Sequence, residues 1–442
     1  MSDSTSRRPG RATAWLVGVL VLATLLRAGA LAVGSGHLTA DRDDYLDVAR
    51  HYVTHGFWHS FENIPDSFRP PLLPLVMAAL LKAGGGSVSL GVFQLVLGTA
   101  TVALTWHIGR RLDLGGLAAL AAVAVALDPL LVEYTTFPMT ETLFTFLVTL
   151  FIALATPKKR EAAAPRFSTA RLAALGAVFG ASALCRPTIW PVAGLVAVWL
   201  AVRTLRGEEP VARIVRGTLA ALLATAVVVT PWVVRNWRLL GSPVLTTTHG
   251  GYTLLLGNND AFFRQVAARP LWEEWHSDAP DRFQQTWFGN LVADMDRELG
   301  PGPGEIANDR WMYRRAWHDI AAEPRLFLRA CLLRFAEFWN VVPLAPSRSA
   351  LGTVVVRGVG IGYSLELVFF LAGLASLVRR WDERWMLPLL LILNFTLVHL
   401  VYWSNMRMRA PLVPLIALIA ARGLGQFTRA ARTTAKPPDR AA

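Results

Sequence analysis

Ten stretches of this sequence are apolar over roughly 20 residues, which is the length an α-helix needs to cross the hydrocarbon core of a bilayer. The chain of 442 residues is 53% hydrophobic and only 17% charged, with a mean hydropathy of +0.40. A soluble enzyme of this length does not tolerate so apolar a composition, so the sequence predicts an all-α polytopic membrane protein. The predicted spans lie near residues 15–34, 88–109, 115–134, 140–156, 170–186, 189–205, 214–235, 353–378, 385–402 and 408–425.

The basic residues between these stretches predict an orientation. With an even number of spans, every dense basic cluster can lie on the cytoplasmic side, as the positive-inside rule requires. The formal charge of +13 therefore orients helices and meets anionic lipid headgroups, and nucleic acid is not expected as a partner. The clusters are at the N-terminus, 110–111, 158–171, 203–216, 379–384 and from residue 422 onward.

Four regions follow from this reading. Residues 1–235 are predicted to form an N-terminal transmembrane module that includes a first outer loop at 35–70 and, from the residues described below, carries the catalytic groups. Residues 236–345 form a non-cytoplasmic cap that ends in an interfacial helix near 324–340, whose basic side chains reach the headgroups. C-terminal transmembrane helices occupy 346–428, and 429–442 is a disordered basic tail.

Two further features have plainer readings. The first apolar stretch follows Arg7, Arg8 and Arg11 as a cleavable signal would, but its length and the many later spans favour a retained helix. Cys185 and Cys331 offer neither a disulfide framework nor metal-ligand spacing.

The first outer loop is rich in carboxylates around Tyr45, namely Asp41, Asp43, Asp44 and Asp47. A carboxylate beside a membrane-embedded site can deprotonate the hydroxyl or amine of an acceptor molecule, or hold a divalent cation against a phosphate. The alternative is an ordinary solvated helix cap.

Glu141 stands at the outer start of an apolar helix. A carboxylate there is costly if it faces lipid, so it is expected to face protein, water or a cation. The alternative is an acid in the first turn that complements the helix dipole.

Arginines occur at the outer ends of several spans, opposite the basic loops. The planar guanidinium donates two parallel hydrogen bonds to phosphate and stays charged, so together they indicate a site for an anionic lipid-linked substrate. For each one alone, the alternative is an interfacial arginine that reaches for the headgroups. The candidates are Arg69, Arg186, Arg235, Arg407 and Arg409, with Arg238 one turn beyond Arg235.

A glycine- and amide-rich run follows Arg235 on the same side. It contains His249, the pair Gly250-Gly251, and Asn258 and Asn259. Adjacent glycines let a backbone approach a sugar or phosphate closely, and the two amides offer both donors and acceptors. A structural turn is the alternative.

In order and spacing these runs resemble the polyprenyl-phosphate-dependent glycosyltransferases of the GT-C fold, the superfamily that contains protein O-mannosyltransferases and the aminoarabinose transferase of lipid A. The resemblance covers residues 15–425. Its motifs are Asp41 with Tyr45 and Ala49, Arg69-Pro70-Pro71 with Pro74, Thr140-Glu141, Arg186-Pro187-Thr188, Pro231-Trp232 with Arg235-Asn236-Trp237, Gly241 with Pro243, Gly250-Gly251, Gly257-Asn258-Asn259, and 407–411.

The resemblance implies a GT-C-like bundle of about 10 transmembrane helices, with outer-face juxtamembrane helices and a small cap. It implies that Asp41 is the catalytic acid of the first loop, with Glu141 as the second acid; Asp43 and Asp44 remain open for the first role. Arg69, Arg186, Arg235, Arg407 and Arg409, with Tyr45, His249, Asn258 and Asn259, are then expected to bind substrate. A divalent cation, Mg²⁺ or Mn²⁺, between Asp41 and Glu141 is possible.

The implied reaction transfers a sugar, with inversion, from a polyprenyl phosphate to a lipid, protein or glycan acceptor. The implied location is a bacterial plasma membrane, with the site on the non-cytoplasmic side. The rival reading is a transporter or flippase for an anionic lipid-linked substrate. It fits less well, because a transporter places polar groups near the bilayer midplane and has matched halves, which this sequence does not show.

Overall fold

The computed structural model describes residues 9–56, 67–157, 167–208, 210–267, 278–300, 302, 304–342 and 350–434. Over these residues the chain is helical and contains no strand, as predicted. Parts of the first outer loop (57–66) and of one basic loop (158–166) lie outside the described residues, as do residues 435–442 of the predicted tail. The last helix continues to Thr434, so the start of that tail is helical.

The described residues form 18 α-helices. They are α1 Pro9–Val33, α2 Tyr45–His55, α3 Leu72–Lys82, α4 Ser87–Arg111, α5 Leu117–Leu127, α6 Pro129–Glu133, α7 Thr140–Ala155, α8 Thr169–Cys185, α9 Trp190–Leu205, α10 Val211–Leu240, α11 Gly250–Gly257, α12 Asp260–Phe262, α13 Asp278–Leu299, α14 Glu305–Ala322, α15 Pro324–Phe338, α16 Ala350–Arg379, α17 Met386–Val401 and α18 Val413–Thr434. The 3₁₀-helices are Ser35–Thr39, Tyr134–Thr136, Pro187–Ile189, Glu383–Trp385 and Met406–Leu412.

All ten predicted spans are helical, but they are not equally long. Seven are long and apolar enough to cross a membrane, and an eighth is the pair α5 and α6, bent by 52°. The other two, α7 and α8, are shorter apolar helices of 16 and 17 residues. In the described part of the chain, the number of membrane-length helices is therefore seven or eight rather than ten.

The bend between α5 and α6 has a specific cause that the sequence pattern did not reveal. Asp128 accepts a hydrogen bond from the Leu131 backbone N–H at 2.9 Å and so caps α6, and Pro129 occupies the first position of that helix. The carbonyls released at the end of α5 accept from the guanidinium of Arg27 on α1, which is fully buried. One arginine of α1 thus provides hydrogen bonds for the backbone carbonyls at the end of the neighbouring helix α5.

Close helix crossings depend on glycine. At the contact of α8 with α10, a Cβ on Gly176 would lie 2.0 Å from the Ala221 carbonyl oxygen. Gly373 on α16 and Gly423 on α18 allow an equally close approach at a second crossing. Small residues are how helices without a hydrophobic driving force between them pack backbone to backbone.

The basic residues on the face where α4 ends and α8 begins bind backbone carbonyls. Arg111 donates to the carbonyls of Ala153 and Thr156 at 3.0 and 2.9 Å, and Arg171 donates to Thr156 at 2.9 Å. These are the unsatisfied carbonyls at the end of α7, where a cation also meets the negative end of the helix dipole.

The opposite face, where α1 and α8 end and α7 and α18 begin, carries the candidate site and the cap. Helices α11 to α14 have an apolar core of their own, around Leu254, Phe262 and Trp311, separate from that of the membrane helices. Helix α15 departs from its prediction in one respect. Its Arg334 is buried and donates to the Gly257 carbonyl at 3.0 Å and the Asn258 side chain at 2.9 Å, so it does not reach for headgroups.

Candidate active site

The acidic loop before α2 folds so that its three carboxylates face different partners. Asp44 adopts a left-handed conformation with φ of 57°, which Asp tolerates better than most residues, and turns the chain into α2. Its carboxylate pairs with Arg69 at 3.2 Å. Asp43 pairs with Arg407 at 2.8 Å.

Asp41 is held by backbone and leaves one oxygen without a partner. Its Oδ2 accepts from the Asp47 backbone N–H at 2.7 Å, while Oδ1 is buried and has no hydrogen-bond partner among the described residues. Burial raises the pKa of Asp41 above its usual value, although the backbone N–H groups of Asp47 and Leu46 act in the opposite direction. A carboxylate with one fixed oxygen, one free oxygen and a raised pKa suits a general base.

The central feature of the site is a network of four charged side chains from four separate segments. The Glu141 carboxylate, at the start of α7, accepts from Arg186 at 2.6 Å and also from Nε of Arg407. Arg407, in the Met406–Leu412 helix, continues to Asp43 of the first loop. Arg186, at the end of α8, also donates to the Thr140 hydroxyl at 2.7 Å.

The charges of this network balance. Glu141 is fully buried, and two guanidiniums adjoin it, which is how a buried carboxylate stays ionised. Burial opposes ionisation of Asp43, but the Arg407 guanidinium holds the pKa of that carboxyl below its usual value. The Arg407 and Arg186 side chains retain 21% and 12% exposure, so a ligand can reach them.

Arg69 forms a second centre beside this network. Its guanidinium lies 5.7 Å from the ring centre of Tyr45 and 5.2 Å from that of Phe68. Burial raises the pKa of Tyr45 to about 12, so its phenol stays neutral near pH 7. The ring of His249 meets Phe68 edge-on with the ring centres 4.4 Å apart, so His249 lies beside this centre.

Arg235 lies in the last turns of α10. Its guanidinium stacks over Trp232 at 4.7 Å and donates to Asn236 at 2.9 Å. Trp232 and Asn236 in turn donate to the carbonyls of Thr246 and Val244, which ties the end of α10 to the following segment. This arrangement follows from the chain folding back after Gly241, which ends α10 in a left-handed conformation with a φ of 67°.

Three predicted substrate ligands have other roles in the structure. Asn258 and Asn259 are buried, and their amides donate to backbone carbonyls, including that of Val401 at 2.7 Å and that of Leu255 at 2.9 Å. Arg409 is also buried and donates to the Asn340 carbonyl at 2.9 Å. It faces a different side from Arg407 because residues two apart in a 3₁₀-helix do not share a face. These side chains hold the fold together rather than facing a ligand.

A clamp that the sequence did not predict connects the cap to the Arg69 loop. Glu305, the first residue of α14, accepts from the Ser67 backbone N–H with both oxygens at 3.0 Å and from the Thr248 hydroxyl. The Thr248 N–H donates to the Ser67 carbonyl at 3.2 Å, and the Thr247 hydroxyl donates to that of Phe68. A lone acid in a polar region carries no sequence signal for such a contact.

The geometry does not support a divalent cation between Asp41 and Glu141. In the described part of the chain, no three His, Cys, Asp or Glu side chains converge in a way that could hold a metal. Oε1 of Glu141 accepts from two guanidiniums, and their charge would repel a metal ion at Oε2, which is buried and has no hydrogen-bond partner among the described residues. The residues present therefore do not fit the predicted metal site.

Comparison with known proteins gives a match in fold only. No protein-family model matches the chain, and no curated protein matches it in sequence. Among solved structures it is similar to the oligosaccharyltransferase AglB from Archaeoglobus fulgidus in complex with an inhibitory peptide and a dolichol-phosphate, with a TM-score of 0.52 and 13% identity. The match covers 97% of this chain and 53% of AglB, so the chain spans about half the length of that protein.

A second structure of the A. fulgidus oligosaccharyltransferase, a complex with Zn and sulfate, matches with a TM-score of 0.52 and 13% identity over 94% of this chain and 50% of the other. ArnT from Cupriavidus metallidurans bound to undecaprenyl phosphate matches at 15% identity over 97% of this chain and 82% of the other, but its TM-score of 0.39 adds no support for the fold. The chain therefore shares the fold of the archaeal oligosaccharyltransferase over the part it spans.

Proposed function

We propose that this protein is a membrane glycosyltransferase that transfers a sugar from a polyprenyl-phosphate-linked donor to an acceptor on the non-cytoplasmic face. The observation that carries the proposal is the convergence of Asp43, Glu141, Arg186 and Arg407, from four segments, at one face of the membrane helices. The fold supports it, because AglB, which shares that fold, was solved in complex with a dolichol-phosphate.

The acids and arginines divide the work in this mechanism. The acceptor oxygen attacks the anomeric carbon, and its proton passes to Oδ1 of Asp41. This carboxylate oxygen has no hydrogen-bond partner among the described residues. The bond from the anomeric carbon to the phosphate oxygen breaks, and its electron pair leaves with the phosphate. Attack opposite the leaving group inverts the anomeric centre. The sugar is a hexose or pentose, and the acceptor is a lipid, protein or glycan.

The arginines stabilise the charge that builds on the departing phosphate. The three arginines pair with acids of the same face, Arg186 with Glu141, Arg407 with Asp43 and Arg69 with Asp44. Guanidinium donors aimed at developing charge are among the largest contributions to catalysis. Because the phosphate leaves as an anion, the reaction does not require a strong general acid. Arg235, at the end of α10, is placed to meet a lipid headgroup near this face.

The test of this function is sugar transfer by the Asp41→Asn variant. With radiolabelled polyprenyl-phosphate sugar and the full chain in membranes, we expect transfer to fall by about 10² to 10⁴ while donor binding persists, because the base is removed but the arginines remain. In the wild type, the rate should fall as the pH drops through the raised pKa of Asp41, since the base acts only when ionised.

The matched control is Asp47→Asn, because Asp47 supplies a backbone N–H to Asp41 and its side chain is exposed. This control should keep transfer close to the wild-type rate. Wild-type transfer by Asp41→Asn would remove the proposed base, and a wild-type chain that moves labelled lipid between leaflets without transfer would favour the transporter instead.

A further inference from the structure

Arg407 joins the acids of two different loops. Its Nη2 donates to Asp43 at 2.8 Å, and its Nε donates to Glu141, which lies 266 residues away in the chain. In many phosphate sites a divalent cation bridges such carboxylates. Here a guanidinium makes the bridge, and Arg186 makes a second contact with Glu141 at 2.6 Å.

The surrounding structure fixes Arg407 in this bridge. The ring of Tyr134 lies 5.6 Å from the guanidinium carbon, within the range of a cation–π contact. The segment carrying Arg407 runs directly into buried Ala410, Pro411 and Leu412, which anchor it against the core. The bridge is thus built into the fold.

Both guanidiniums keep N–H groups that can receive a phosphate. In the described part of the chain, Nη1 of Arg407 donates to no oxygen, and Nη1 of Arg186 meets only the sulfur of Met408 at 3.9 Å. Thioether sulfur is a weak acceptor, so a phosphate oxygen would replace it favourably.

We propose that Arg407, with Arg186, is the resident cation of this site, so that the phosphate of a polyprenyl lipid is bound directly by guanidinium donors without a divalent cation. The inference rests on the proposed function for the identity of the lipid.

The experiment measures metal and phosphate binding by the purified full chain in lipid nanodiscs. Mn²⁺ is titrated and followed by electron paramagnetic resonance, and binding of undecaprenyl phosphate and of inorganic phosphate is measured with EDTA or with Mg²⁺ present. We expect no stoichiometric Mn²⁺ site, and an affinity for undecaprenyl phosphate that EDTA and Mg²⁺ change by less than about twofold. Inorganic phosphate should compete if the headgroup alone is recognised.

A one-to-one Mn²⁺ site that is lost in Asp43→Asn or Glu141→Gln would overturn the inference, as would phosphate binding that EDTA abolishes. Arg407→Ala should weaken undecaprenyl phosphate binding by at least about tenfold, whereas exposed Arg238→Ala should not. If Arg407→Ala fails to fold, Arg407→Lys replaces it, because lysine keeps the charge but cannot contact both carboxylates. An affinity of Arg407→Lys for undecaprenyl phosphate equal to that of the wild type would contradict the bridge.

The outcomes also separate this inference from the proposed function. Metal-independent phosphate binding without any sugar transfer would leave the cation assignment intact and reject the enzyme. Sugar transfer that requires Mn²⁺ would support the enzyme and reject the assignment of Arg407 as the resident cation.

Discussion

At the scale of single residues, the first outer loop shows how three similar carboxylates acquire different chemistry. Asp41 keeps an oxygen without a partner, Asp43 is neutralised by Arg407, and Asp44 pairs with Arg69. The sequence left the catalytic acid open among the three. Their environments favour Asp41 as the base, because an acid held ionised by a guanidinium is a weaker base than one whose pKa burial has raised.

His249 allows a pH prediction at the same scale. Loss of hydration on burial, together with the nearby Arg69 cation, lowers the pKa of His249 to about 3. In the unfolded chain its pKa is near 6.5, so between these values only the unfolded state binds the proton. The free energy of unfolding should therefore decrease as the pH falls below 6.5, by up to about 1.4 kcal/mol per pH unit from this residue.

Thermal unfolding between pH 7 and pH 5 checks this expectation. His249→Gln should lose less stability on acidification than the wild type, because glutamine does not titrate. His318→Gln, at a side chain that is 76% exposed, is the matched control for the substitution itself. Parallel curves for His249→Gln and the wild type would contradict the prediction.

At the scale of helices, backbone contact decides features that hydropathy cannot. Ten apolar stretches looked alike, yet α5 and α6 are divided by a capped break whose carbonyls are satisfied by Arg27. A charged residue inside an apolar stretch is a signal for a buried polar partner, so Arg27 could have been noticed. Its partner could not, because the partner lies on another helix.

The crossing of α8 and α10 gives a prediction at this scale. Gly176→Ala places a methyl group 2.0 Å from the Ala221 carbonyl oxygen, so the helices must separate. We expect the variant to lose about 1–3 kcal/mol of stability, or more if the hydrogen bond from Thr225 to the Gly176 carbonyl also breaks.

Gly194→Ala is the matched control, since an added Cβ meets nothing within 4 Å there. In a helix interior that change should instead stabilise by roughly 0.5–1 kcal/mol. Unfolding in detergent, compared for the two variants, tests the difference, and equal melting temperatures would show that the crossing is looser than the structure indicates.

At the scale of the whole molecule, the cap and the membrane helices have separate apolar cores and meet at the Glu305 clamp. The clamp fixes Ser67 and Phe68, and hence the start of the loop that presents Arg69. Helix α14 therefore supports the segment that presents Arg69.

Glu305→Ala should release that loop. We expect faster amide exchange at Ser67 and an affinity for undecaprenyl phosphate lower by about tenfold, since a charge-assisted contact contributes on the order of 1.5–3 kcal/mol. Glu323→Ala, at an exposed acid just after the same helix, should change neither quantity. Unchanged exchange at Ser67 in Glu305→Ala would show that the clamp does not order the loop.

The sequence by itself determined the helical class, the positions of the ten apolar stretches and the face on which Glu141, Arg186 and Arg407 lie. Hydropathy, span length and loop charge are local properties of the chain, and they decide directly how a segment inserts into a bilayer. Only the tertiary structure decided which acid meets which arginine, that Asn258, Asn259 and Arg409 face inward, and that Glu305 reaches Ser67, 238 residues away. Hydrogen bonds form between particular atoms a few ångströms apart, and which atoms come that close depends on how distant segments pack, which a local pattern does not encode.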